Sequence, residues 1–183
     1  MKKLALWMIV TVLLVGTAGC STLIKEGVKA GMGGRGAVAS LQSPTSASGM
    51  PPLAEYENFE LGDLKEDFGG MVPPEFYEKI PGHFQRELTD ANLPVNPGGK
   101  TAVIRGTIIH YEGKDLAGSI VSPLDQVIVR AEMVDQQTGA ILGRANLVGR
   151  TTSRTRRGPN IVAEGYARAC VQWFSENYFP QEE

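Results

Sequence analysis

The chain has 183 residues, of which 42% are hydrophobic and 21% are charged, and its formal net charge at pH 7 is −2. So small an acidic excess argues against a nucleic-acid-binding protein. The part that follows the N-terminal tract, about 125 residues, is long enough to bury one hydrophobic core.

The N-terminus has the pattern of a secretion signal. Two lysines precede an apolar run, Leu4 to Val15, which is shorter than the ~20 residues of a membrane span. Small residues follow the run and lead to Cys20. Residues 1–19 are therefore predicted to be a signal peptide. The alternatives are an ordinary cleaved signal with an incidental cysteine, or an uncleaved anchor.

The segment Gly16-Thr17-Ala18-Gly19-Cys20 resembles the bacterial lipobox, with Thr17 where leucine is usual. The resemblance implies that Cys20 carries lipid and becomes the first residue of the mature protein. Ser21 follows it instead of Asp, which in such lipoproteins implies the outer membrane. Several acyl chains would hold the protein stably there, on the periplasmic face. With Cys20 lipidated, Cys170 has no intramolecular partner, so the fold cannot depend on a disulfide.

Residues 20–52 are predicted to be a flexible tether that carries the lipid. They are rich in Gly, Ala and Ser and end in Pro51-Pro52. Three glycines in this segment satisfy G-x-G-x-x-G, but the sequence predicts no strand before them and no helix after them. A dinucleotide site is therefore not predicted. No cofactor is predicted for any part of the chain.

Residues 53–183 are predicted to form a single α+β domain. Its elements are expected in the order β-α-β-β-β-α, an antiparallel meander with two helices packed on one face. The strands are predicted at Tyr56–Leu61, Thr101–Tyr111, Asp125–Asp135 and Ala140–Thr151. One helix opens at Val72-Pro73-Pro74, with Pro81 predicted to kink or split it. The other begins at Gly158-Pro159-Asn160.

The apolar residues recur at the spacing expected for a common core. In the first helix the stripe is Tyr77, Ile80, Phe84, Leu88 and Ala91. In the three later strands the inward positions are Ala102, Ile104, Gly106 and Ile108, then Val127, Val129, Ala131 and Met133, then Ile141, Ala145 and Leu147. In the last helix they are Val162, Tyr166, Ala169, Cys170 and Trp173. The segment Asp135–Gly139 is predicted to be a hairpin turn with a positive φ at its glycine.

The strand Val103–Ile108 and the Asp-x-x-Thr-Gly turn at Asp135–Gly139 resemble a family of bacterial lipoproteins that share a domain of unknown function. The order of elements is more distantly similar to small α/β domains of the curli-secretion channel lipoprotein, of lipoprotein activators of peptidoglycan synthases, and of the amino-terminal domain of TolB. These resemblances imply a domain that binds proteins or assembles, without catalysis. They are likenesses of fold and indicate function only weakly.

No residue pattern predicts a catalytic or metal site. The two histidines, His83 and His110, lie outside any zinc-binding spacing. Asp63, Glu66 and Asp67 cluster between predicted elements and are interpreted as a solvated acidic turn, the alternative being a pair of catalytic or calcium-binding carboxylates. Cys170 lies on the apolar stripe of the last helix and is interpreted as a small buried hydrophobe rather than a reactive thiol.

One cluster of charges does suggest a binding site. Arg150, Arg154, Arg156 and Arg157 fall within eight residues just before the last helix. Guanidinium groups bind phosphate and carboxylate in bidentate fashion, so the cluster is a candidate site for an anionic partner. The alternative is a solvated basic loop. In that case the next candidate is the outward strand face that carries Arg105, Arg130 and Arg144.

The sequence as a whole predicts a non-enzymatic periplasmic interaction domain, anchored to the outer membrane through lipid on Cys20. Its partner would be an envelope protein or an anionic cell-wall or lipid ligand, and not a nucleic acid. The alternatives are a subunit of a homo-oligomeric secretion or channel assembly and a cell-wall-acting enzyme. The oligomeric state is not predicted.

Overall fold

The computed structural model describes residues 33–46, 49–67, 69–113, 124–152 and 156–180. The predicted signal peptide and Cys20 therefore lie outside the described residues. The described elements are β1 (Gly34–Gln42), β2 (Asn58–Glu66), α1 (Pro74–Asp90), β3 (Thr101–Glu112), β4 (Gln126–Asp135), β5 (Ile141–Thr151) and α2 (Pro159–Tyr178). Neither α1 nor α2 is long and apolar enough to cross a membrane.

The strands form one sheet in the order β1-β5-β4-β3-β2. The α+β class and the antiparallel meander of β3, β4 and β5 are confirmed. The meander does not extend to β2, which pairs with β3 in parallel. The reason is that α1 connects these two strands, and a helical crossover returns the chain to the same end of the sheet.

The element order has one more strand than the sequence predicts, because β1 lies within the segment predicted to be tether. It pairs with β5 in antiparallel fashion, from Gly34 opposite Thr151 onward. Two of its inward positions are glycines and only Val38 contributes an apolar side chain to the core, so it lacks the regular apolar face by which strands are recognised. A Cβ atom on Gly34 would lie 2.1 Å from the carbonyl oxygen of Ile161, and one on Gly36 would lie 2.4 Å from the amide nitrogen of Ala169. The glycines thus let α2 pack directly on the strand backbone. The described domain begins at Gly33 rather than Leu53.

Both helices cover the same face of the sheet and enclose one core. The predicted inward residues of β3 and β4 are buried except Gly106, which is partly exposed, and the whole predicted stripe of α2 is buried. Trp173 is only 1% exposed, and Phe174 beside it stacks against Phe59 and Phe84, with ring centroids 4.7 and 6.4 Å away. Aromatic pairs at such distances stabilise a core beyond the area that they bury.

Helix α1 begins where the sequence predicts and continues through Pro81 to Asp90, so it is not split. Its buried residues are Phe76, Ile80, Phe84 and Leu88. Phe76 is absent from the predicted stripe, and Tyr77, which was included, is only partly buried. The predicted stripe therefore begins one residue too late, but its members Ile80, Phe84 and Leu88 are buried as predicted.

One inward residue of β5 is predicted wrongly. Ile141 is 38% exposed, whereas Gly143, Ala145 and Leu147 are buried. The pairing of β4 with β5 shifts between Met133 and Val134, so that Val134 lies opposite Ile141. An irregularity of this kind adds a residue to one strand and changes which face its end presents. The hairpin turn itself is confirmed, with Gly139 at φ 70°.

Candidate binding face

The sheet surface opposite the helices carries charged side chains on neighbouring strands. Because side chains alternate along a strand, burial of Ile104, Val129 and Ala145 directs Arg105, Arg130 and Arg144 outward. All three arginines are exposed. We call this surface the outer face, and it is the second candidate that the sequence predicts.

A groove of about 350 Å³ crosses the outer face. Its lining residues are Asp63, Lys65, Arg105, Gly106, Thr107, Arg130 and Glu132. Gly106 contributes its backbone to the lining between Arg105 and Thr107. The pairing of β2 with β3 shifts between Leu61 and Leu64, and this irregularity is where Asp63 joins the lining. The groove thus combines three cations with two carboxylates.

Glu132 joins two of the arginines into a network across three strands. Arg105 Nη2 lies 3.0 Å from Glu132 Oε2, and Arg144 Nε lies 3.0 Å from Glu132 Oε1. The hydrogen bond from Arg105 is the main cause that lowers the pKa of Glu132, and Arg144 adds to it. Each pair is exposed and contributes little to stability alone, but the network fixes the arrangement of the three charges.

Arg130 lies between these groups and forms no hydrogen bond or ion pair with another described residue. Asn146 is directly opposite it on β5, and its Oδ1 is buried without a hydrogen-bond partner in the part of the chain that the structure describes. An unpaired guanidinium beside an unsatisfied amide oxygen is unusual, since buried polar groups are nearly always hydrogen-bonded. The outer face therefore offers a ligand the guanidinium of Arg130, which has no partner among the described residues.

In the arginine cluster before α2, Arg157 is held by an ion pair within the fold. Arg157 binds Asp125, with its Nε donating to Oδ1 over 2.9 Å, and the Gly158 amide donates to Oδ2 over 2.8 Å. Asp125 is buried, and its hydrogen bond to Arg157 raises the pKa of the guanidinium. This interaction fixes the start of α2 to the start of β4, so Arg157 is occupied in holding the fold together.

The other described arginines of the cluster differ from Arg157 in that they are exposed. Arg150 is exposed on the outer face of β5, where its position pairs with Arg35 of β1. Arg156 is exposed beyond the end of β5, and Arg154 lies outside the described residues. A sequence window cannot reveal that Arg35, 115 positions away from Arg150 along the chain, stands beside it.

The other titratable residues have structural surroundings. Arg86 donates to His83 Nδ1 over 2.7 Å, so the His83 Nε2–H donates to Asn160 across the two helices. His110 Nε2 lies 3.8 Å from Glu112 Oε2. Burial raises the pKa of the Cys170 thiol to about 12, as expected for a hydrophobic filler. No group of three or more potential metal ligands occurs among the described residues.

The acidic residues of the predicted turn are divided by the structure. Asp63 and Glu66 belong to β2, and only Asp67 follows it. Glu66 accepts hydrogen bonds from the amides of Gly70 and Val72 and from the Tyr77 hydroxyl. Burial of Tyr77, together with the charge of Glu66, raises the pKa of that hydroxyl to about 12. Glu66 therefore holds the segment that leads into α1, while Asp63 faces the groove.

No protein-family model matches the chain, and no curated protein sequence matches it. Among solved structures, it is similar to a PelC dodecamer from Paraburkholderia phytofirmans, with 14% identity, coverage of 75% of this chain and 96% of that one, and a TM-score of 0.46. A PelC variant has 17% identity, coverage of 75% and 97%, and the same score. A minor lipoprotein from Acinetobacter baumannii has 17% identity, coverage of 67% and 94%, and a TM-score of 0.43. Structural similarity at these identities and TM-scores does not indicate which ligand this chain binds.

Proposed function

We propose that the chain is a lipoprotein of the bacterial envelope, anchored by lipid on Cys20 to the periplasmic face of the outer membrane, and that its domain binds another envelope protein without catalysing a reaction. The proposed contact surface is the groove of the outer face. The signal-like N-terminus supports the location, and the geometry of the groove supports the binding role.

The observation that carries the binding role is Arg130, which has no partner among the described residues and lies in a groove that also holds the Arg105–Glu132 ion pair. Arg105 and Glu132 are fixed by their ion pair, so a ligand would meet them with little loss of side-chain freedom. With three cations against two carboxylates, the groove favours an acidic side chain or a terminal carboxylate of the partner.

The alternative is a subunit of a homo-oligomeric envelope assembly. The observation that favours it is the β1 edge of the sheet, since β1 pairs only with β5 in the described sheet. This strand has one charged residue, Arg35, and near its end it carries Leu41, which is 59% exposed. Uncharged edge strands are ready to pair with another chain. At the opposite edge, β2 has an irregularity and several charges, which protect against such pairing.

Photo-crosslinking in intact cells tests the binding role. A photoreactive residue in place of Thr107, at the groove, should give a specific crosslink to one envelope protein. The same residue in place of Gln85, on the exposed side of α1, should give none. Adding Arg130→Gln to the Thr107 probe should reduce the crosslink severalfold, because the guanidinium that orients the partner is lost.

Two results would count against the proposal. Equal crosslinking from Thr107 and Gln85 would mean that the outer face is not the contact surface. A crosslink from Thr107 to a second copy of this chain would favour the homo-oligomeric alternative.

A further inference from the structure

Two arginines face each other at the end of the sheet where the described chain begins. Arg35 of β1 and Arg150 of β5 are register partners, and both are exposed. Gly34 and Gly36 face α2, so Arg35 points to the outer face, and the burial of Gly149 and Thr151 directs Arg150 to the same side. Side chains directly opposite each other in an antiparallel pair lie about 4.5–5.5 Å apart at Cβ.

This pair is not neutralised within the described part of the chain. Neither arginine forms a salt bridge or hydrogen bond with another described residue, and the next position across the sheet is the uncharged Gln126. Glu112 follows one strand further away. Like charges directly opposite each other destabilise a sheet, so the pair has a cost that an external anion would remove.

Arg156 adds a third cation at the same end. Arg157, the next residue, is fixed to Asp125, and the backbone carbonyl of Asp125 accepts a hydrogen bond from the Thr151 amide over 2.9 Å. Arg156 is therefore held close to the end of β5, and it is exposed. We call Arg35, Arg150 and Arg156 the basic edge.

The basic edge lies beside Gly33, the first residue of the described domain. The Thr152 hydroxyl donates to the Gly33 carbonyl over 2.9 Å, and Glu164 and Arg168 of α2 bind the amide and carbonyl of Gly34. These contacts fix the chain two residues before Arg35. Between Cys20 and Gly33 there are 33 − 20 = 13 residue steps, which span at most about 45 Å.

We infer that the basic edge contacts the headgroup phosphates of anionic phospholipids, so that the domain rests on the membrane at the edge nearest its attachment. This inference rests on the proposed lipid anchor, because attachment through Cys20 would hold the domain within about 45 Å of the bilayer and the chain enters the domain at this edge. Arginine pairs well with phosphate oxygens, and each basic residue near an anionic membrane surface adds to binding. The three cations are also independent of the groove.

Vesicle binding by the mature chain with Cys20→Ser tests the inference without the lipid anchor. This protein begins before Gly33 and so retains every described element. It should bind vesicles that contain phosphatidylglycerol and not vesicles of phosphatidylcholine alone. Binding should weaken as salt rises from about 0.02 to about 0.15 M, because the electrostatic screening length falls to roughly 8 Å at the higher concentration.

Variants identify the residues responsible. Arg35→Gln with Arg150→Gln should lower the partition coefficient by about 25-fold, or about fivefold for each arginine. Arg144→Gln is the matched control for Arg150→Gln alone, because each removes one charge from the same face of β5 and the two positions are roughly 20 Å apart by strand rise. It should change binding less than twofold. Arg35→Lys with Arg150→Lys should retain most of the binding, since lysine keeps the charge.

The inference is overturned if the Cys20→Ser protein does not bind the anionic vesicles at low salt, or if Arg144→Gln reduces binding as much as Arg150→Gln does. Neither result would affect crosslinking from Thr107, which tests the proposed binding role separately. Binding to anionic vesicles that depends on Arg35 and Arg150 supports the inference even if the groove has no protein partner.

Discussion

Gly36→Val should destabilise the domain by at least about 3 kcal/mol, the upper end of the usual cost of overpacking. A Cβ at this position would lie 2.4 Å from the Ala169 amide nitrogen and 2.8 Å from the Gly165 carbonyl oxygen. These neighbours are helix backbone, which cannot turn aside as a side chain can. Accommodation requires α2 to move away from β1, which would open the core at Val162 and Tyr166. Denaturant unfolding followed by circular dichroism measures the loss.

The matched control for this prediction is Ala37→Val, one residue further along β1. Ala37 is exposed on the outer face, so the added methyl groups meet solvent, and stability should change by less than about 0.5 kcal/mol. Equal stability of Gly36→Val and wild type would mean that β1 does not pack beneath α2. The N-terminal limit of the domain would then return to the neighbourhood of Leu53.

Arg157→Gln should also cause a large loss, about 2–4 kcal/mol. Removing one partner of a buried ion pair leaves the other charge uncompensated, at a typical cost of about 3–5 kcal/mol. The lower range applies because the Arg157 side chain is 20% exposed, whereas that of Asp125 is 1% exposed. Asp125 would keep only the Gly158 amide as a donor to its carboxylate among the described residues. Thermal and denaturant unfolding both measure the effect.

Arg156→Gln is the control, since it removes the same charge from the adjacent exposed residue and should leave stability nearly unchanged. Adding Asp125→Asn to Arg157→Gln should recover part of the loss, because the buried negative charge is then absent. If Arg157→Gln is as stable as Arg156→Gln, the pair does not hold α2 in place. Arg157 would then be available to an anion, as the sequence pattern suggests.

These two sites show why local sequence patterns predict some features and miss others. Alternation and helical spacing correctly identify the inward residues of β3, β4 and α2, because an apolar side chain at a regular spacing is itself the signal that the position is buried. Strand β1 has only Val38 as such a signal, since its other inward positions at this end are Gly34 and Gly36. Their role depends on how closely α2 approaches, which only the tertiary structure determines.

The candidate sites differ in the same way. The outward direction of Arg105, Arg130 and Arg144 follows from alternation and is confirmed by their exposure. The contribution of Asp63 to the groove depends on an irregularity in the parallel pairing of β2, which leaves no clear sequence signal. The arginines of the cluster cannot be distinguished from one another in the sequence. In the structure Arg157 donates a hydrogen bond to the buried Asp125, whereas Arg150 lies opposite Arg35 on the outer face of the sheet.

Fatty-acid labelling in growing cells tests the central claim, that this domain works at a membrane to which Cys20 attaches it. The wild-type chain should incorporate labelled palmitate and sediment with the outer membrane. Cys20→Ser should abolish incorporation and release most of the protein from the membrane fraction, and Cys170→Ser should label like wild type. Unchanged labelling of the Cys20→Ser variant, or no labelling of the wild type, would contradict the account.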